Sequence, residues 1–145
     1  MKHVWSILCE KTIIDIDTNS LNIHNCFDEL NINIDKKERN NNKKILIPVN
    51  FEIIHLLFDK KINQIRNPEI KIELYDPENK NIGNFSELVT FPKQKRRLRI
   101  RTKMNNLPIT VEGTYNFLIK LKEDKEKKYK KVSEIPLDIK ISDKK

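Results

Sequence analysis

The residues best suited to chemistry are basic and lie close together in the second half of the chain. Seven lysines and arginines occupy the eleven positions 93–103, with no acid among them. We call this set the basic stripe: Lys93, Lys95, Arg96, Arg97, Arg99, Arg101 and Lys103. Its last six members, from Lys95 to Lys103, are the predicted binding residues. Because guanidinium groups bind phosphates and carboxylates in a bidentate manner, the stripe predicts an anionic partner.

The stripe also shows the alternation of a β-strand. Arg97, Arg99, Arg101 and Lys103 share one phase, and Leu98, Ile100 and Met104 share the other. On a strand the basic side chains would project from one face at intervals of about 6.6 Å, near the phosphate spacing of a nucleic acid. Phe91 is the only nearby aromatic residue, so the stripe itself does not predict base stacking. Three alternatives stay open: a solvated sheet face, pairing with glutamates on a neighbouring strand, and an acidic protein surface.

A second polar pattern, at the turn after the first apolar segment, resembles a calcium loop only at its start. Asp15, Asp17 and Asn19 have the spacing of the first three EF-hand ligands. Ser20 stands where that loop needs glycine, and Cys26 stands where it needs a bidentate glutamate. The flanking segments have the pattern of strands rather than helices. A hairpin turn is therefore the favoured interpretation.

The cysteines and histidines do not define a metal or catalytic site. Cys9 and Cys26 would approach each other across a hairpin, but no C-x-x-C spacing accompanies them, and we interpret both as core residues. No phosphate-binding glycine loop and no nucleophile motif occurs. We predict no catalytic residue, no metal and no cofactor. A metal-dependent enzyme that uses Asp15, Asp17 and His24 is the remaining enzymatic alternative.

Composition indicates one soluble domain with segregated charge. The chain has 145 residues and a formal net charge of +8, which a single hydrophobic core can accommodate. Two lysines against six carboxylates give the first 35 residues a charge of −4, and 27 basic against 15 acidic residues give the rest +12. Two cysteines are too few for a disulfide framework, and we expect neither a signal peptide nor a membrane span. These features predict a cytoplasmic protein without a membrane partner.

Period-two alternation recurs along the chain, and it is longest in Leu107–Lys122. A change of apolar phase within Leu21–Ile34 predicts a bulge or bend near Phe27 and Asp28. Pro48 lacks an amide donor, so an edge or a bulge is expected there. About eight such segments predict an all-β fold with little helix, a single antiparallel sandwich of seven to nine strands over residues 1–145. The predicted core comprises Trp5, Leu8, Leu21, Ile23, Ile47, Val49, Phe51, Ile72, Leu74, Leu98, Ile100, Tyr115, Phe117, Ile119, Leu137 and Ile139.

Two resemblances bear on the fold. Glu112–Phe117 resembles the tyrosine-corner region of immunoglobulin-like sandwiches, with Phe117 where antibody domains have a cysteine. Six groups of residues in the same order resemble a family of small uncharacterised prokaryotic proteins: Trp5–Cys9, Asp15 with Thr18, Asn19 and Leu21, Pro48 with Phe51, Leu74–Pro77, Gly113–Phe117 and Glu134–Leu137. The resemblance implies an immunoglobulin-like β-sandwich and implies no activity.

Together these observations predict a non-enzymatic binding or adaptor module whose partner is another macromolecule, foremost a protein or an acidic surface. The alternative is sequence-independent binding of an RNA or DNA backbone through Arg97, Arg99, Arg101 and Lys103. The two classes differ in salt dependence, which is steep for a phosphate backbone.

Overall fold

The computed structural model describes residues 1–35, 37 and 44–143, and nearly all of its regular structure is β. Most of the loop predicted over residues 35–44 lies outside the described residues. In chain order the strands are β1 (Lys2–Ile14), β2 (Leu21–Cys26), β3 (Glu29–Ile34), β4 (Ile45–Ile47), β5 (Phe51–Phe58), β6 (Glu69–Tyr75), β7 (Asn81–Leu88), β8 (Arg97–Met104), β9 (Leu107–Ile109), β10 (Gly113–Lys122) and β11 (Lys130–Asp143).

The strands form two main sheets and one small one. The smaller main sheet has the order β2-β1-β5-β8, the larger one has the order β3-β11-β10-β6-β7, and β4 pairs with β9. Every pair is antiparallel except β3 with β11, which is parallel and corrects the prediction of a wholly antiparallel fold. The exception arises because the chain leaves the smaller sheet after β2 and enters the larger one at Phe27 and Asp28, where a bend was predicted. Asp138 N donates to Asp28 O at this crossing, over 2.8 Å.

A shared core joins the two main sheets, as in a β-sandwich. The Phe51 ring of β5 meets the Phe117 ring of β10 edge-on, with 6.0 Å between centroids. Ten predicted core residues are buried: Leu8, Phe51, Ile72, Leu74, Ile100, Tyr115, Phe117, Ile119, Leu137 and Ile139. Ile47, Val49 and Leu98 pack at its rim. The assignment of Trp5, Leu21 and Ile23 to the core was wrong, because these residues lie outside the buried cluster.

The described residues contain eleven strands rather than seven to nine, because three long apolar segments are each divided. Leu21–Ile34 becomes β2 and β3 in different sheets. Ile45–Phe58 becomes β4 and β5, and Pro48 lies in the break between them. Leu107–Lys122 becomes β9 and β10, with Gly113 opening the second strand at a φ of 140°. Each division falls where the chain changes sheet, lacks an amide donor or needs a left-handed residue.

The start of β10 is fixed by a buried tyrosine hydroxyl. Tyr115 Oη accepts hydrogen bonds from the amides of Thr110 and Val111, over 2.9 and 3.2 Å, and donates to Val111 O over 2.6 Å. The side chain is completely buried. The hydroxyl thus ties β10 to the chain four and five residues upstream, which is the bonding pattern expected of a tyrosine corner.

Candidate basic groove

The basic stripe lies largely on β8, an edge strand of the smaller sheet. Ile100 and Thr102 are buried on the face toward the core. Arg97, Arg101 and Lys103 are exposed and Arg99 is partly exposed on the other face. The alternation in the sequence therefore predicted correctly which side chains share a face of this strand.

Cross-strand register places apolar and aromatic side chains beside the arginines. Trp5 of β1 pairs with Leu56 of β5, and Leu56 pairs in turn with Arg99 of β8. Directly paired residues project from the same face of a sheet, so these three form one row across its outer face. One step along, the Arg97 guanidinium lies over the Phe58 ring, 5.9 Å from its centroid. Aromatic and basic residues are thus interleaved across strands rather than along one strand.

The distal half of the β1–β2 hairpin bends across this outer face. We call this part, residues 12–21, the arm. Thr12 N and Thr12 Oγ1 both donate to Glu52 Oε2 of β5, over 3.0 and 2.6 Å. Arg101 Nη1 donates to Thr12 O over 3.2 Å, and Arg99 Nη1 donates to Asn19 O over 2.8 Å. Since β8 is two strands away from β1, these bonds require that the arm pass over β5.

The turn at the end of the arm is stabilised by its own residues. Asp15 Oδ1 accepts hydrogen bonds from the amides of Asp17 and Thr18, both over 2.9 Å. These bonds lower the pKa of Asp15 below its ordinary value. Asn19 adopts a left-handed φ of 56°, which asparagine tolerates better than most residues. The residues that resembled a calcium loop therefore form a hairpin turn, which presents the Asn19 carbonyl to Arg99.

The arm forms one wall of a groove on this outer face. Residues 91–96, which precede β8, form the opposite wall, and backbone hydrogen bonds hold them in place. Arg66 and Phe91 exchange two such bonds, of 3.0 and 2.7 Å. Gln94 N donates to Ile62 O over 2.7 Å, and Asp59 N donates to Arg96 O over 2.9 Å. This segment thereby places Lys95 and Arg96 at the edge of the groove.

Between the two walls is an open groove of about 890 Å³. We call it the basic groove. Its apolar lining consists of Trp5, Ile14, Leu21, Leu56, Pro92 and Leu98, and its polar lining consists of Asn19, Gln94, Lys95, Arg96, Arg97 and Arg99. Within the described ranges 1–35, 37 and 44–143, no carboxylate lines it. The groove therefore combines an apolar floor with four cations and no acid, in a volume within the usual range of ligand sites.

The cations of the groove differ electrostatically from those of the larger sheet. On the larger sheet, Glu73 bonds both Lys71 and Lys120, over 2.8 and 2.6 Å, and Glu69 bonds Lys122 over 2.6 Å. Hydrogen bonds from the two lysines lower the pKa of Glu73 to about 2.

In contrast, no carboxylate among residues 1–35, 37 and 44–143 forms an ion pair with Lys95, Arg96, Arg97 or Arg99. Pairing with neighbouring glutamates thus accounts for lysines of the larger sheet and not for these four residues.

The structure divides the six predicted binding residues. Lys95, Arg96, Arg97 and Arg99 line the basic groove together. Arg99 and Arg101 each bond a carbonyl of the arm, but Arg101 does not line the groove. Lys103 lines a separate depression of about 370 Å³ that also contains Glu10 and Glu52.

Sequence reasoning missed the floor of the groove. Trp5 was expected in the core, and Leu56 belongs to a strand whose core-facing phase is Phe51, Ile53 and Leu57. The available signal was that β5 is apolar in both phases, with Ile54, Leu56 and Phe58 in the second. A strand that is apolar on both faces indicates that its outer face is also covered.

The cysteines and metal candidates are not assembled into a site. Cys9 pairs with Cys26 in the β1–β2 register, and both are free thiols. Cys9 is buried as predicted, whereas Cys26 is exposed, so its assignment to the core was wrong. Desolvation, with Cys26 and Glu52 nearby, raises the pKa of Cys9 to about 11. In the part of the chain that the structure describes, no three His, Cys, Asp or Glu residues are grouped to hold a metal ion.

Two histidines that seemed unrelated in the sequence share a serine. His3 Nε2 lies 2.6 Å from Ser6 Oγ, which lies 2.7 Å from His55 Nδ1. Desolvation, with His3 nearby, lowers the pKa of His55 to about 3. His55 is completely buried, so a substrate has no access to its ring. His55 therefore belongs to the interior of the fold, whereas His3 and Ser6 are partly exposed.

No family model matches the chain, and no curated protein is detectably similar to it. The resemblance to a family of small prokaryotic proteins stays a prediction. Among the described residues, none of the helical structure has the length and apolar character needed to cross a membrane.

Proposed function

We propose that this protein is a non-enzymatic binding module that holds an anionic macromolecule in the basic groove. The observation that carries the proposal is the contrast between the two sheets. Lys71, Lys120 and Lys122 have carboxylate partners on the larger sheet, whereas the four cations of the groove surround an apolar floor and have no carboxylate partner in the described part of the chain. Guanidinium groups that lack a carboxylate partner among the described residues and lie beside apolar surface favour a ligand that has both charge and hydrophobic area.

Immunoglobulin-like topology and a cytoplasmic location are the finer parts of the proposal. The bonds of the Tyr115 hydroxyl to the chain at Thr110 and Val111 support an immunoglobulin-like arrangement. Two free cysteines, one of them exposed, support a reducing compartment. In that setting the ligand is an acidic protein segment or a nucleic acid.

The test is fluorescence anisotropy with two labelled polyanions, polyglutamate and single-stranded oligothymidylate, at low and at physiological salt. We expect the protein to bind at least one of them at physiological salt. The triple variant Lys95→Ala, Arg96→Ala, Arg97→Ala should weaken that binding at least about tenfold, since each lost contact to a charged group is worth about 1 kcal/mol or more.

A matched control removes three charges elsewhere. Lys125, Lys127 and Lys128 are exposed, lie in the turn between β10 and β11, and do not line the groove. Their replacement by alanine changes the net charge equally and should leave binding within about twofold of the wild type. Equal losses in the two triple variants, or no binding of either polyanion at physiological salt, would contradict the proposal.

A further inference from the structure

We infer that the ligand of the basic groove is single-stranded nucleic acid, with one base stacked on the Trp5 indole and the neighbouring phosphates on Arg97 and Arg99. The inference rests on the proposed function and specifies the ligand. Three properties of the groove support it: the Trp5 ring in its apolar floor, its dimensions and the arrangement of its charges.

The first property is the aromatic floor. Trp5 lines the groove and is partly exposed, although tryptophan gains more from burial than almost any other residue. Its neighbour in the row, Leu56, is also partly exposed. A purely acidic peptide would satisfy the arginines and leave the indole in water. A nucleobase satisfies both, because every base has a flat π-face that stacks on an aromatic ring.

The second property is size. Trp5 and Arg99 are separated by one strand, so their backbones lie about 10 Å apart, and the arginine side chain shortens that gap. One nucleotide spans this separation, with its base at the indole and its phosphate at the guanidinium. The arm and the segment before β8 bound the groove on either side. An opening of about 890 Å³ accommodates a few unpaired nucleotides, whereas a duplex keeps its bases stacked inside and cannot offer one to Trp5.

The third property is the arrangement of charge. Arg97 and Arg99 follow each other on one face of β8, about 6.6 Å apart along the strand. Lys95 and Arg96 extend the series beyond the start of β8. A line of cations beside an aromatic floor is the combination that proteins use to follow a single-stranded backbone without reading its sequence. Base identity should accordingly have little effect on affinity.

Trp5 provides a direct readout because it is the only tryptophan in the chain. We would titrate the wild-type protein with thymidine monophosphate, single-stranded oligothymidylate of about ten nucleotides, a duplex of the same length and polyglutamate. The expected result is quenching of tryptophan emission by the single strand, much weaker quenching by the duplex and none by polyglutamate. The monophosphate should quench only at far higher concentration, because it meets one phosphate site instead of several.

Two substitutions separate stacking from mere structure. Trp5→Leu keeps an apolar floor and removes the ring, and we expect it to weaken binding of the labelled single strand about tenfold or more. Trp5→Phe restores a ring and should recover part of the loss. If Trp5→Leu does not fold, the comparison of Trp5→Phe with the wild type and the quenching of wild-type emission still test whether a base stacks on Trp5.

The outcomes distinguish the inference from the function on which it rests. Binding of polyglutamate without binding of the single strand would overturn the inference and leave the anion-binding module intact. Equal affinity for single strand and duplex, or a single strand that binds without quenching Trp5, would also overturn it. If no polyanion binds, both the single-strand inference and the proposed anion-binding function are contradicted.

Discussion

The three arginines of β8 make different contacts, and the residues around each arginine determine its role. Arg97 lies over the Phe58 ring, Arg99 bonds Asn19 O, and Arg101 bonds Thr12 O. In the sequence these three arginines are equivalent members of one alternating pattern. Their partners lie about 40 to 90 positions earlier in the chain, so only the fold shows that Arg97 and Arg99 line the groove and that Arg99 and Arg101 bond the arm.

The same dependence on neighbours governs the buried histidine. His55 is bonded through Nδ1 to Ser6, and its Nε2 has no hydrogen-bond partner among the described residues. Burial and the proximity of His3 keep His55 neutral in the folded protein by lowering its pKa to about 3. An unfolded histidine has a pKa near 6.5, so the unfolded state takes up a proton first as the pH falls.

We therefore predict a stability loss in acid that depends on His55. The contribution of neutral His55 to the free energy of unfolding is complete above about pH 6.5. It decreases from there toward pH 3, by about 1.4 kcal/mol per pH unit. His55→Asn retains an acceptor for Ser6 and removes the titration. Urea denaturation at pH 7.5 and pH 5 should show about 2 kcal/mol more loss in the wild type than in His55→Asn. Equal losses in the two proteins would contradict this assignment.

At the scale of elements, the entry into β10 is sterically constrained at Gly113. Gly113 has a φ of 140°, and a β-carbon added there would lie 2.9 Å from Cβ and Cγ of Pro77, in the turn between β6 and β7. Both the backbone conformation and the contact require glycine. At Gly83, in contrast, an added β-carbon would meet Leu74 Cβ at an ordinary 3.7 Å.

These two glycines give a matched pair of substitutions. Gly113→Ala should lower the free energy of unfolding by about 1–3 kcal/mol, because it combines a strained φ with an overlap. Gly83→Ala should change it by less than about 1 kcal/mol, since alanine fits a strand better than glycine. Urea denaturation of both variants measures the difference. Similar values for the two would refute the assignment of strain to Gly113.

The sequence predicted local elements better than their arrangement. Alternation identified the β8 face and the bend near Phe27, because each depends on residues close in the chain. At Pro48 an edge or a bulge was expected, and the division of Ile45–Phe58 into two strands was not predicted. The basic groove depends on Trp5 meeting Leu56 and Leu56 meeting Arg99, over separations of 51 and 43 positions. Periodicity identifies the two faces of a strand but cannot say which element covers each of them. For that reason Trp5 was placed in the core and the groove floor was missed.

For the whole molecule, the shared core predicts one cooperative unit. Phe51 and Phe117 join the two main sheets, and Trp5 reports on the smaller sheet alone. Urea unfolding followed by Trp5 fluorescence and by far-ultraviolet circular dichroism should give the same midpoint. Phe117→Leu should lower stability by about 1–2 kcal/mol and shift both midpoints together. Separate midpoints would show that the sheets unfold independently, against the prediction of one domain.

The position of β11 has a consequence for how the protein reaches this structure. β11 is the last described strand in chain order, yet it lies between β3 and β10, and β3 has no other partner in its sheet. During synthesis β3 therefore has no partner strand until residues more than 100 positions later have been made, because Glu29 pairs with Asp138. Pairing over such a distance makes folding slow and leaves apolar β3 residues such as Ile32 and Ile34 exposed in the meantime. The nascent chain, more than the finished protein, is the form that needs protection from aggregation.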